Sequence, residues 1–187
     1  MTDSEIATLT PVARYITTLA AATKSNDPAL ARLRTWRPDG PVDVDVIRIT
    51  SGADDDQWIA WALAGKLFGR WHSGRAAVRY GTAGEGLGHG LRKLGPKGAS
   101  GPRNPRAVRL LNRLVNASSD GTLADILDAI GAELRSVDYP PNWATIAEEI
   151  ETWRNLDTRN DIRVLWARQF HTWQTATASA APAVDAS

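Results

Sequence analysis

Trp143-Ala-Thr-Ile-Ala-Glu-Glu-Ile-Glu-Thr-Trp153 and Ile162-Arg-Val-Leu-Trp-Ala-Arg-Gln-Phe-His171 decide the fold class of this chain. In the first stretch Trp143, Ile146, Ala147, Ile150 and Trp153 recur at intervals of three and four. In the second, Ile162, Leu165, Trp166, Phe170 and, just beyond it, Trp173 do the same. Because about 3.6 residues complete a helical turn, this spacing lays one apolar stripe along each of two α-helices. The indoles lie on those stripes, so they are predicted to fill a core rather than to stack on a ligand.

Working outward, Leu123, Ile126, Leu127, Ile130 and Leu134 mark another helix, and Pro105 opens one over Arg106 to Val115. Near the start of the chain Ile6, Leu9, Val12, Ala13, Ile16 and Leu19 predict a helix over Ser4 to Ala22, with Glu5 in its first turn. Asp27-Pro28 gives a cap and a first-position proline for a short helix from Ala29 to Trp36. Asp54, Asp55 and Asp56 are predicted to cap a helix running through Trp71, on which Trp58, Trp61 and Phe68 are apolar. The stretch Val42 to Thr50 partly alternates apolar and polar residues, but a lone strand has no partner, so it reads as an extended connection.

The clearest boundary is Gly95-Pro-Lys-Gly-Ala-Ser-Gly-Pro-Arg-Asn-Pro105. The expected architecture is therefore all-α. A helical sub-bundle over residues 1–95 is joined by a basic Gly/Pro loop, 96–104, to a second over 105–174, and a disordered tail follows over 175–187.

A chain of 187 residues can bury a substantial core without staples. The absence of Cys excludes disulfides, thiolate-ligated metals and thiol chemistry. Met1 to Glu5 is polar and acidic, unlike a signal peptide, and the strongest apolar run, Trp58 to Ala64, is too short to span a bilayer. A soluble, cytoplasmic protein without a membrane partner is expected.

The net charge of +1 hides a strong asymmetry. Between Lys66 and Arg113 lie Lys66, Arg70, Arg75, Arg79, Arg92, Lys93, Lys97, Arg103, Arg106, Arg109 and Arg113, half of the chain's 22 Lys and Arg residues, against Glu85 alone. From Leu114 to Asp161 the acids dominate. A basic block beside an acidic one suits a surface that grips a polyanion and another that repels it. Arg106, Arg109 and Arg113 fall on one helical stripe, and Arg92, Lys93, Lys97 and Arg103 support them in and around the loop. Arg32 and Arg34, or Arg163 and Arg168, offer secondary basic surfaces.

Catalytic signatures are missing. Gly90 to Lys97 approaches a phosphate-binding loop, but Gly95-Pro96-Lys97 replaces its Gly-Lys-Ser/Thr, and Pro96 lacks the needed N–H. Gly84 and Gly86 begin a dinucleotide fingerprint that His89 breaks. His72, His89 and His171 form no paired zinc motif, so neither a metal nor a cofactor is expected. Asp54-Asp55-Asp56 reads as helix capping and Glu148-Glu149 as a solvated helix face, which leaves no nuclease acid cluster. A helix-turn-helix regulator remains the alternative binding class.

The segments Asp27-Pro28-Ala29-Leu30-Ala31-Arg32-Leu33-Arg34, Trp61 to Phe68, Gly88-His-Gly-Leu-Arg-Lys-Leu94 and Arg106-Ala-Val-Arg-Leu-Leu111 occur in an order that resembles the CasB family. Val137-Asp138-Tyr139, the Trp153-ended helix and Trp166-Ala-Arg-Gln-Phe-His171 are similar to that family's closing pattern. Gln169 and His171 stand where the family often has an acid and a Tyr. The family is the small subunit of Cascade, the type I-E CRISPR surveillance complex. The resemblance implies an all-helical, non-enzymatic subunit that packs with a second copy of itself and with other Cascade subunits, beside guide RNA and target DNA. Sequence-independent contacts to strand backbones suffice there, because exchanging a DNA duplex for an RNA–DNA hybrid is nearly balanced in free energy.

Overall fold

The computed structural model describes residues 9–75 and 77–171. All regular structure among them is helical: α1 (Pro11–Ser25), α2 (Pro28–Thr35), α3 (Val44–Ile49), α4 (Trp58–His72), α5 (Leu87–Arg92), a 3-10 turn (Gly101–Arg103), α6 (Pro105–Val115), α7 (Asp120–Ser136), α8 (Trp143–Arg154) and α9 (Arg159–His171). The all-α expectation holds. The expectations for residues 4–8, Trp173 and the tail 175–187 lie outside the described residues.

Local chemistry sets most boundaries. Thr10 Oγ1 accepts from Ala13 N at 3.2 Å and Pro11 occupies the first turn, so α1 starts at Pro11 and leaves Leu9 and Thr10 outside it. Asn26, in the left-handed region at φ 55°, closes its far end. The Asp27 carboxylate caps α2 through Ala29 N at 2.8 Å, as its sequence predicts.

Two expectations are corrected here. Val44–Ile49 is a helix, not an extended connection: Asp43 accepts from Asp45 N and Val46 N, and only Val46 and Ile49, three apart, are buried. A strong cap and one buried turn outweigh the β-branched composition, which tertiary context readily overrides. The carboxylates of Asp54 to Asp56 do not cap α4. Gln57 holds the cap position without a side-chain hydrogen bond to the helix start, and the backbone carbonyl of Asp54 accepts from Gln57 N and Trp58 N in a preceding turn.

α4 is the axis of the molecule. It is buried from Ala60 through Gly69, a helix apolar nearly all round, which has to sit inside a protein. α2 and α1 cover one side of it, and α7 and α8 cover another. α9 packs on α5, α6 and α8, so helices from both sides of the Gly/Pro loop share one continuous core. Trp143, Trp153 and Trp166 are fully buried in that core, as the apolar stripes predict.

Gly86 and Gly88 serve close approach, whereas Gly84, at φ 78°, turns in open space. A side-chain carbon at Gly88 would collide with the Trp166 carbonyl, and one at Gly86 with the Glu149 carboxylate. Glycine at position 88 lets α5 lie directly on α9.

Candidate nucleic-acid interface

The acidic block after Leu114 does not simply face away from the basic block. Lys66 and Arg70 meet Asp128 at 3.1 and 2.9 Å, and Arg75 and Arg79 both reach Asp138 at 2.6 Å. Arg75 also lies 4.0 Å over the Trp71 ring. The first part of the basic block is thus neutralised within the fold. Lys66, only 2% exposed, donates to Asp128 and to the carbonyls of Arg34 and Trp36, which satisfies all three ammonium protons at the C-terminal end of α2.

What remains lies around α5, the loop and α6. Asn104 caps α6 through Arg106 N at 2.9 Å, and its amide also donates to Leu94 O, which accepts from Gly101 N as well. Gly95, Gly98 and Gly101 take positive φ, so the loop folds back on itself with its base pinned at Leu94.

Arg106, Arg109 and Arg113 are all exposed on α6, as the stripe predicts. Arg106, 67% exposed, pairs with Glu133 of α7 at 2.5 Å. Neither Arg109 nor Arg113 has an ion-pair partner among the described residues. Lys97 and Arg103 are exposed in the loop, and Arg103 donates to Gly98 O at 3.3 Å. Lys93 is exposed, its ammonium 5.7 Å from the Tyr139 ring centre.

Other sequence-predicted residues have structural bonds. Arg92, half-buried, donates to Phe170 O at 2.9 Å and so ties α5 to the end of α9. Arg34 bridges Leu30 O and Ser73 Oγ, and Arg163 donates to Ala117 O at 2.6 Å. Arg32 and Arg168 are exposed on α2 and α9. α2 packs against α3 and α4, whereas α6 packs against α7 and α9, so Arg32 and the Arg109 stripe belong to different parts of the surface.

Sequence reasoning missed Glu149. It is not part of a solvated face: only Glu148 is exposed, while Glu149 is 4% exposed. Its carboxylate accepts from Leu87 N at 2.8 Å, Trp166 Nε1 at 3.0 Å and Gln169 Nε2 at 3.4 Å. Gly86, the cap residue of α5, has no side chain to offer, so Glu149 supplies the capping oxygen from another helix. Burial pushes this carboxyl above its ordinary pKa, against the lowering effect of the three hydrogen bonds. One acid thereby fixes the start of the element that ends in Arg92 and leads into the basic loop.

His72 has a structural role. His72 is pushed down to about 4 by burial among Phe68, Trp71 and Trp143. Its Nδ1–H faces Phe68 O, and its Nε2 accepts from Arg79 N, which defines a neutral tautomer. No group of His, Asp and Glu among the described residues could hold a metal ion, and no helix among them is long and apolar enough to cross a membrane.

The family profile of CRISPR-associated protein Cse2 matches residues 15–171. The chain belongs to the Cse2 family. The crystal structure of CasB from Thermobifida fusca superposes with a TM-score of 0.67 at 21% identity, covering 86% of this chain and 96% of that one, which places both in the same fold. A comparison with curated proteins finds no match. The CasB-like order of motifs and the helical architecture thus agree. Membership of the Cse2 family supports a role as a subunit of the type I-E Cascade complex.

Proposed function

We propose that this Cse2-family chain is the non-catalytic small subunit of a cytoplasmic Cascade, where, beside a second copy, it contacts strand backbones and stabilises the R-loop between guide RNA and target DNA. The observation that carries the reading is the exposed stripe of Arg106, Arg109 and Arg113, set beside Lys97 and Arg103 on a pinned loop. Guanidinium groups on such a surface bind phosphate oxygens, which carry no base identity, so the contacts are uniform along any sequence. Arg92, Lys93, Arg168 and Arg163 widen the positive field, and Arg32 and Arg34 provide a separate basic area.

Affinity for DNA or RNA should fall as salt rises. Replacing Arg106, Arg109 and Arg113 together by Gln should reduce the slope of log affinity against log salt by about two to three units, since each lost phosphate contact is worth about 0.9 for duplex and about 0.7 for single strands. Arg14, exposed on α1, is the matched control. An unchanged slope in the triple variant would place the grip elsewhere, and affinity that depends on base sequence would favour a regulator. Nucleic acids incubated with the protein and magnesium or manganese should stay intact.

A further inference from the structure

Two charges stand at the unfavourable ends of their helices. Arg106 lies in the first turn of α6, where the free N–H groups already carry positive partial charge, and Glu133 lies in the last turn of α7, where the free carbonyls are negative. Neither placement helps its own helix. The first turn of α6 holds no acid to offset Arg106, and one turn from Glu133 along α7 the residues Ala129, Ile130 and Ser136 bring no cation. Each charge is accounted for only by the other. The start of α6 lies beside the end of α7, and Arg106 Nη2 meets Glu133 Oε1 at 2.5 Å.

This pair differs from those that neutralise the first part of the basic block. Lys66 is buried against Asp128, and Asp138 binds Arg75 and Arg79 together, so those charges are built into the fold. Arg106 is 67% exposed and is held through one nitrogen by a carboxylate that is itself only 19% exposed. Among the three α6 arginines it alone has an ion-pair partner within the described residues. Lys97 and Arg103 are exposed in the loop just before it, so positive side chains and a positive helix end coincide where the single acid sits.

We propose that Glu133 is a built-in competitor for strand phosphate: its carboxylate occupies Arg106 in the free protein, yields it to a nucleic-acid backbone, and so holds down the strength of the α6 grip. The inference rests on the proposed function and adds a restraint to it. Carboxylate and phosphate offer a guanidinium the same kind of oxygen acceptors. An exposed pair held by one contact is weak enough to exchange one for the other. A restrained grip suits an exchange of duplex for hybrid that is nearly balanced, because a stronger sequence-independent hold would favour strand opening on any sequence.

The test measures binding of a fluorescein-labelled DNA duplex of mixed sequence over a salt series. The proteins are the unmodified chain, Glu133→Gln, Arg106→Gln and the double variant. Glu133→Gln keeps the size of the side chain and removes its charge. It should bind about two- to fivefold more tightly at low salt, the worth of one released surface pair, with a slope steeper by about 0.9. In the Arg106→Gln background the same substitution should change little. Glu133→Asp, which keeps the charge but withdraws it by one methylene, should also tighten binding and serves if Gln perturbs the fold. An unchanged affinity would overturn the competitor, and so would a loss, which would make Glu133 the residue that aims Arg106 at the strand. An equal gain without Arg106 would overturn it too, since Glu133 would then be only one more repelling charge. In each of these cases salt-dependent binding by the unmodified chain leaves the backbone-gripping reading standing. If the unmodified chain does not bind the duplex, that reading falls and the competitor with it.

Discussion

Trp143→Ala should destabilise the protein by about 3 to 5 kcal/mol, as large-to-small core changes do, a large fraction of the stability of an ordinary domain. The ring is 1% exposed and packs against Phe68, Trp71 and His72 at centroid distances of 5.2, 5.9 and 5.3 Å. It also donates from Nε1 to Arg79 O at 2.7 Å, which holds the strap after α4 against α8. Trp153 is equally buried, but its Nε1 has no hydrogen-bond partner among the described residues. Trp153→Ala should therefore cost a similar amount through lost packing, while the two Phe variants should part company. Trp143→Phe additionally leaves a carbonyl without its donor, about 1 to 3 kcal/mol more. Urea midpoints measure this. A loss below about 1 kcal/mol in either Ala variant would remove that ring from the core.

Glu149→Ala should cost about 2 to 5 kcal/mol, because it strands the buried Leu87 N–H and Trp166 Nε1–H and opens a cavity. Glu149→Gln retains an accepting oxygen and carries no charge to desolvate, so at neutral pH it should match or exceed the parent protein. The pH dependence separates the two forms. Burial raises the carboxyl's pKa in the folded state above its unfolded value of about 4.3. From about 4.3 up to the raised value the folded protein binds more protons than the unfolded chain, so this group's contribution to stability falls as pH rises. Denaturation measured across that window should show Glu149→Gln gaining on the parent protein with increasing pH. A constant gap would mean that Glu149 titrates alike in both states.

The long apolar stripes made most of the helices legible from sequence, because burial of a helix face imposes the spacing of Ile146, Ile150 and Trp153 directly. Short elements were harder. α3 has a single buried turn, too little for a period to emerge, and its cap at Asp43 was the informative signal. The exposed arginines of α6 were readable because a helix fixes which residues share a side. The neutralisation of Arg70, Arg75 and Arg79 was not, since Asp128 and Asp138 lie far away in sequence and charge counts are blind to pairing. Glu149 looked solvated beside Glu148, although adjacent helical positions point about 100° apart. The one sequence signal for its burial was Gly86, a helix start with nothing of its own to cap with.

The placement of Gly/Pro-rich residues 96–99 at the surface, between helices that share one core, has a bearing on how the chain tolerates being cut. A protease nick there severs an exposed connection, but the α4 contacts with α7 and α8 and the α9 contacts with α5 run across it. The two pieces should remain associated after cleavage and separate only in denaturant. Made as separate polypeptides, each would expose an apolar face that the other covers, and they should fold together as a complementing pair whose stability rises with concentration.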